Sequence, residues 1–281
     1  MKTIIYSTLT NNTFLETQYK SIKKYFQSEF EYIIFDDSRE TENLISYNKI
    51  QTNDIKNTCD KLNIKYIRIP QKLHKNRGEV MPKEWKQQIG SEECTYSDHP
   101  VTRCALAVQY GFNYIINNYK DIFLFLIDSD MFFINYFNIS TYMKDYHIYG
   151  ILQSNDKIEY LWNGLFICNL SKCKNIKEFN WESGKVFILD ENNNKTEKGI
   201  GCDVGGHNYY YLKKYGYFNE NKNKLSKNCA IGAMHIGLID SIWLTGENGI
   251  NYLDEKLINF IKKFCYLKSK PSDAEEGWIN K

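Results

Sequence analysis

Short runs of apolar residues alternate along this chain with stretches whose apolar positions recur every three or four residues. Thr3–Leu9, Tyr32–Phe35 and Phe123–Ile127 are of the first kind. They are too short for helices and rich in β-branched and aromatic side chains, and they read as strands buried on both faces. Between the first two, Leu15, Tyr19, Ile22 and Phe26 follow helical spacing behind the polar segment Thr10-Asn11-Asn12-Thr13. Strand, helix and strand within about 35 residues make a βαβ unit, whose crossover is right-handed. A polar helix is expected over about Glu42 to Leu62, followed by a third strand at Lys65–Ile69 that Pro70 stops.

The second half continues the alternation. Ser97-Asp98-His99-Pro100 predicts a helix start, and Val101, Cys104, Ala105, Val108, Phe112 and Ile115 form one apolar stripe down to Asn118. His147–Leu152 and Leu161–Cys168 read as further strands, with Gly164 marking a bulge or a close backbone approach. Gly199–His207 turns into a helix at Asn208–Lys214, and Cys229–Gly237 reads as a late strand. Leu253, Leu257, Phe260, Ile261 and Phe264 define an amphipathic terminal helix. Gln71–Thr95 and Trp181–Lys198 lack clear periodicity and are expected as long loops, candidates for touching phosphates or an acceptor. The pattern predicts an α/β fold with a central sheet flanked by helices.

Composition narrows the function only a little. The formal charge of +2 over 281 residues gives no global reason to expect nucleic acid or an anionic membrane as partner. Eight cysteines occur without a Cys-x-x-Cys pair, which reads as reduced core thiols in a cytoplasmic protein. The N-terminus reads as a strand rather than a signal peptide, and no run approaches the length of a membrane span; peripheral contact through the basic face of the terminal helix stays open. The bias towards Asn, Lys, Ile and Tyr fits an AT-rich genome such as that of a large virus or a parasite. Without a repeat or a Pro-rich linker, 1–281 is expected to be one domain. Oligomeric state is not legible.

Candidate chemistry gathers at strand ends. Asp128-Ser129-Asp130 follows the most apolar strand at once, where the carboxyl ends of an α/β sheet form a ligand crevice. In extended backbone both carboxylates point to one side. Two hard oxygen donors suit Mg²⁺ or Mn²⁺, with substrate phosphates completing the shell. Asp36-Asp37-Ser38 ends the second strand in acid as well. His99 and Arg103 share a face near a helix amino terminus, where an anion such as a diphosphate would be held; a surface ion pair for Arg103 and a cap role for His99 are the plainer alternatives. Trp162 and Asn163 could line a sugar pocket or simply pack. Asp203 could be a general base or an N-cap. His235 ends the late strand and would be a further metal ligand or an ordinary core residue.

With these residues in view, the chain resembles the GT-A glycosyltransferases over roughly residues 1 to 239. The likeness rests on Tyr32–Ser38, on the helix around Arg103–Val108, on Phe125-Leu-Ile-Asp-Ser-Asp-Met131, on Trp162–Asn169 and on His235. It implies a single Rossmann-related GT-A-like domain with a mixed central sheet. Residues 1–130 would be its nucleotide-binding half, 131–250 its acceptor half, and 251–281 a terminal helix and tail. It further implies a nucleotide-diphosphate sugar donor, expected to be a UDP-sugar, a glycan or other hydroxyl acceptor, and Mn²⁺ or Mg²⁺ as cofactor. On that resemblance Asp36 or Asp37 would hold uracil or ribose, with Thr8 and Thr10 beside the base. Asp128 and Ser129 would face ribose or metal, and Asp130 the metal bridging the diphosphate. His235 would complete the metal shell. Trp162, Asn163 and Gly164 would line the sugar site, and Asp203 would be the base of an inverting reaction.

Two rivals use the same features differently. A haloacid-dehalogenase-type phosphatase also places Asp-x-Asp after a buried strand, but near its amino end and followed by Thr or Val, where Met131 and Phe132 stand here. A non-catalytic sugar-nucleotide or glycan-binding module would share the fold without turnover.

Overall fold

Because side chains alternate across a strand, each buried strand of this protein feeds two cores at once. The computed structural model describes residues 1–12, 14–38, 52–70, 72–75, 100–133, 135–154, 158–190, 192, 194–218, 229–231 and 238–240. Strands β1 (Thr3–Leu9) and β2 (Phe30–Asp36) flank helix α1 (Leu15–Tyr25). Helix α2 (Thr52–Leu62) leads to β3 (Lys65–Arg68), followed by a short helix α3 (Lys72–Lys75) and the long α4 (Pro100–Asn118). Strands β4 (Phe123–Ile127) and β5 (Met131–Phe133), the single turn α5 (Ile139–Tyr142), β6 (Ile148–Ser154) and β7 (Glu159–Asn169) follow. The described chain ends with β8 (Gly184–Leu189), β9 (Lys195–Cys202), α6 (Asn208–Lys214), β10 (Cys229–Ile231) and β11 (Leu238–Asp240).

Seven strands form one sheet in the order β10-β6-β7-β4-β1-β2-β3. β1, β2, β3 and β4 run parallel, and β7 is antiparallel to both β4 and β6. This is the mixed α/β sheet expected from the sequence. Ile4 and Tyr6 on β1, Ile33 and Phe35 on β2, and Leu124 and Leu126 on β4 face α4 through Val108, Phe112 and Ile115. Ile5, Ile34, Phe125 and Ile127 face the other way, onto Leu15 and Ile22 of α1 and Ile55 and Cys59 of α2. Among the described residues, no helix is long and apolar enough to cross a membrane. Among the described residues, Cys59, Cys104, Cys168, Cys173 and Cys202 are free thiols.

Three local features position the site. First, the β6–β7 register jumps between Gly150↔Phe166 and Ile151↔Trp162, so Asn163, Gly164 and Leu165 bulge out of that pairing. A Cβ on Gly164 would lie 2.0 Å from the Trp162 ring, so only glycine lets that ring fold back over the bulge. Second, Trp181 is fully buried and meets Phe166 edge-on at 5.1 Å, while its carbonyl accepts from Gly205 N at 3.0 Å. Third, Gly205 has φ +95°, and a Cβ there would lie 2.2 Å from the Leu161 carbonyl oxygen, so the turn before α6 sits directly on β7.

One expectation needs correcting. Much of Trp181–Lys198 is not a loop: β8 and β9 form an antiparallel hairpin from Gly184↔Cys202 to Leu189↔Lys195. Neither strand shows a clean alternation, because β8 carries the unbroken run Val186-Phe187-Ile188-Leu189 and β9 is polar with two glycines. The pairing is decided in three dimensions, where Val186 is buried against Ile158, Tyr160 and Tyr209. Gln71, residues 76–99 and the terminal helix at Leu253–Phe264 lie outside the described residues, as does the end of the late strand at 232–237.

Asn208 ties the turn to the sheet. It is fully buried; its Oδ1 accepts from Leu161 N at 3.0 Å and its Nδ2 donates to Leu161 O at 2.7 Å. Asn208→Ala removes both partners of a buried peptide group, and an unsatisfied buried group costs about 1–3 kcal/mol. The variant is expected to lose about 2–4 kcal/mol in urea unfolding.

Candidate active site

At the carboxyl edge of the parallel strands the chain concentrates acid, and each carboxylate is treated differently. Asp36, fully buried at the end of β2, accepts from Ser38 N and Arg68 Nη1 at 2.8 Å each through Oδ1, and from the Tyr66 hydroxyl at 2.7 Å through Oδ2. Arg68, opposite Asp36 in the β2–β3 register, also donates to the Asp36 carbonyl at 3.1 Å and to Ser38 Oγ at 3.0 Å. Asp37 is 2% exposed and pairs with Arg103, whose Nε lies 2.9 Å from Oδ2. Arg103 Nη2 donates to the Asp37 carbonyl at 2.7 Å. Arg103 is thus a buried partner of the β2 end, not a surface cation. A buried ion pair of this kind organises a segment more than it stabilises it.

The acidic turn between β4 and β5 is tight. Asp128 N donates to Gly164 O at 2.8 Å, which joins the turn to the β7 bulge. Met131 N donates back to Asp128 O at 3.2 Å. Ser129 N donates to Asp128 Oδ1 at 2.7 Å. Asp128 and Ser129 are half-buried, and Asp130 is buried. Burial pushes the Asp128 carboxyl up to about 6, against a smaller opposing effect from the Ser129 N–H.

Asp203 stands at the mouth of the turn that Gly205 shapes. Its N–H donates to the Tyr160 hydroxyl at 3.1 Å and its Oδ1 accepts from Val204 N at 2.7 Å. His207 lies 3.7 Å from the Glu182 carboxylate and donates from its backbone N to Glu182 O at 3.1 Å. Asn163, 4% exposed, donates to Cys104 Sγ at 3.5 Å, while its Oδ1 is buried with no hydrogen-bond partner among the described residues.

Cys104 reports how these pieces converge. Its thiol is pushed well above the ordinary range, chiefly by burial and then by the negative charges of Asp128, Asp203 and Asp37. Acids from the ends of β4 and β2 and from the turn before α6 therefore all act on one thiol on the first turns of α4. The structure brings together Asp37, Arg103, Asp128, Asn163 and Asp203, with Ser129, Asp130, Trp162 and Gly164 adjoining along the same segments. Thr8 is half-buried and Thr10 exposed at the end of β1, where Asp37 N donates to Leu9 O at 2.7 Å. His99 and His235 lie outside the described residues.

Sequence reading passed over Arg68, Tyr66, Cys104 and Tyr160, which hold or report on this edge. Arg68 had a usable signal, since a cation at the end of a strand beside an acid-ended strand is a ready partner for it. The others are ordinary strand or stripe residues until the topology is known.

Among the described residues no group of three His, Cys, Asp or Glu side chains is placed to share a metal. Two carboxylates alone still fit Mg²⁺ or Mn²⁺, which keep waters and take phosphate oxygens from substrate, and do not fit a closed structural zinc site.

No protein-family model and no curated protein matches the chain. Among solved structures it is similar to the mannosyltransferase Ktr4p of S. cerevisiae, at 12% identity and a TM-score of 0.38, covering 60% of this chain and 56% of that one. It is also similar to the galactosyltransferase LgtC in complex with donor and acceptor sugar analogs, at 14% identity and a TM-score of 0.36, covering 61% and 59%. An active-site mutant of LgtC aligns at 11% identity and a TM-score of 0.43, over 92% of this chain and 95% of that one. The chain thus spans under two thirds of the length of the first two.

A raised carboxyl pKa fixes the sign of a pH effect. The folded state binds the Asp128 proton more tightly than the unfolded chain does, so this stabilisation is complete below about pH 4 and is lost as pH rises through about 6. At pH 7 the folded state carries the cost of that half-buried charge. Asp128→Asn is expected to raise the melting temperature at pH 7, corresponding to roughly 1–3 kcal/mol. It should also flatten the stability profile between pH 4 and 6, as read by calorimetry without added divalent ions.

Proposed function

We propose that the chain is a metal-dependent glycosyltransferase that moves a sugar from a nucleotide-diphosphate donor, expected to be a UDP-sugar, to a hydroxyl of a glycan or similar acceptor. The observation that carries this reading is the joining of the Asp128 turn to the β7 bulge through Gly164, of that bulge to α4 through Asn163 and Cys104, and of α4 to Asp37 through Arg103, with the charges of Asp37, Asp128 and Asp203 all acting on the Cys104 thiol at the carboxyl edge of the parallel strands. That edge is where an open α/β sheet binds its ligand.

Each residue takes a role that its surroundings support. The end of β2, fixed by Arg68 on Asp36 and by Arg103 on Asp37, forms a rigid wall for the nucleotide. Asp128 and Asp130 would hold Mn²⁺ or Mg²⁺, with His235 as a further ligand. A bound divalent ion offsets the charge that builds on the departing diphosphate oxygens, where water is largely excluded. A carboxyl that burial has raised to about 6 is one that a nearby cation would return to its ionised form. Asn163, whose buried oxygen has no partner among the described residues, and Trp162, folded over Gly164, would meet the donor sugar. Asp203, held from behind by Tyr160 and by its own turn, would remove the acceptor hydroxyl proton in an inverting transfer.

The test is transfer and hydrolysis across a panel of UDP-, GDP- and CMP-sugars with Mn²⁺. Asp130→Asn is expected to lower turnover by about 10²-fold or more, the size seen when a charge-stabilising group is removed. Turnover equal to that of the unaltered protein would overturn the metal role. Nucleotide binding by calorimetry with no turnover on any donor would identify a binding module instead.

A further inference from the structure

The acidic turn is gripped from below by one side chain of α1. Gln18 is fully buried; its Nε2 donates to Asp128 O at 2.5 Å and to Met131 O at 2.9 Å, the two carbonyls that bracket Ser129 and Asp130. Its Oε1 accepts from the Tyr32 hydroxyl, which lies 3.0 Å from Ser7 Oγ, and Ser7 Oγ in turn donates to Ile127 O at 2.7 Å. Protons and acceptors balance in this pocket. Two amide protons, one from Tyr32 and one from Ser7, with the Met131 N–H as a second donor to Asp128 O, serve the carbonyls of Ile127, Asp128 and Met131 and the oxygen of Gln18 itself. The balance fixes which way the amide points, because a flipped amide would face two carbonyls with an oxygen. One turn further along α1, Ser21 Oγ accepts from Phe133 N at 3.2 Å.

None of these groups faces the crevice, so their effect on it is indirect. We propose that Gln18 is the positioning residue of the acidic turn: acting through the Asp128 and Met131 carbonyls, it fixes the spacing at which the Asp128 and Asp130 carboxylates meet a divalent cation. The cation half of this statement rests on the function proposed above; the grip on the turn does not. An apolar side chain at 18 takes the amide proton from the Met131 carbonyl and leaves the Asp128 carbonyl with the 3.2 Å bond from Met131 N, so the turn loses its tie to α1 and is free to rearrange. Outer partners of this kind change metal affinity about 10–100-fold when removed.

Two readouts on the full chain test it, with Gln18→Met against Ile22→Ala. Ile22 is also fully buried on α1 and packs in the same core as Met131 and Phe133, but its apolar side chain offers these carbonyls no proton, so it controls for a general loss of packing. Hydrogen exchange by mass spectrometry, each protein held equally far below its own melting temperature, is expected to show the segment 128–133 exchanging at least tenfold faster in Gln18→Met than in Ile22→Ala. Mn²⁺ titration followed by electron paramagnetic resonance, with UDP present, is expected to show about tenfold or more weaker binding in Gln18→Met alone. If both variants exchange equally in that segment, or bind Mn²⁺ equally, the proposal is overturned. If the unaltered protein takes up no Mn²⁺, the metal function falls instead and the exchange comparison decides the grip by itself. Should Gln18→Met not fold, Tyr32→Phe, which removes the proton that orients the amide, is compared in its place with the same expected direction.

Discussion

A buried strand must end somewhere, and its last carbonyls must still find protons. At the end of β4 that requirement is met by Ser7 and Gln18, two polar side chains with no exposure, set among Ile5, Leu15, Ile34 and Phe125. The rest of the edge depends on it. With the backbone of the turn held from the α1 side and from Gly164 on β7, the side chains of residues 128–130 project from a fixed frame. A polar network so deep in a core is costly unless each member is satisfied, and here the proton count closes.

The acids of the edge fall into two classes by how their charge is met. Asp36 and Asp37 are buried against Arg68 and Arg103, with hydrogen bonds to Tyr66 and to backbone N–H, and they serve as structural charges that hold the β2 end. At Asp128 burial outweighs the hydrogen bond from the Ser129 N–H, and its carboxyl is raised in consequence. Asp203 sits half-buried on a turn that glycine alone can make. Charges of the first class fix the shape of the crevice wall, and those of the second are the ones a ligand can use.

The same logic explains why β7 runs against its neighbours. An antiparallel strand beside β4 brings Leu165 opposite Ile127, so that the bulge at Asn163–Leu165 falls level with the acidic turn. Asn163 and Trp162 are thereby carried to the edge, and Asn208 and Gly205 bind the Asp203 turn to the same strand at Leu161. One strand thus carries both halves of the crevice in fixed relation.

What the sequence determined by itself were the elements whose periodicity is strong and the acids that follow them. The run Phe123–Ile127, short and rich in aromatic residues, reads as an interior strand, and the stripe from Val101 to Ile115 reads as one helix face, since those arrangements withdraw most of these side chains from water. The hairpin of β8 and β9 was not legible, because its polar second strand is held by pairing and by Val186 rather than by any pattern of its own. Nor were the partners of the acids. Gln18 lies 110 residues from Asp128 and Arg103 lies 66 from Asp37. Hydrophobic period is a local property that neighbouring residues write together, whereas hydrogen bonds and ion pairs depend on which segments the sheet order makes adjacent, and only the tertiary structure decides that.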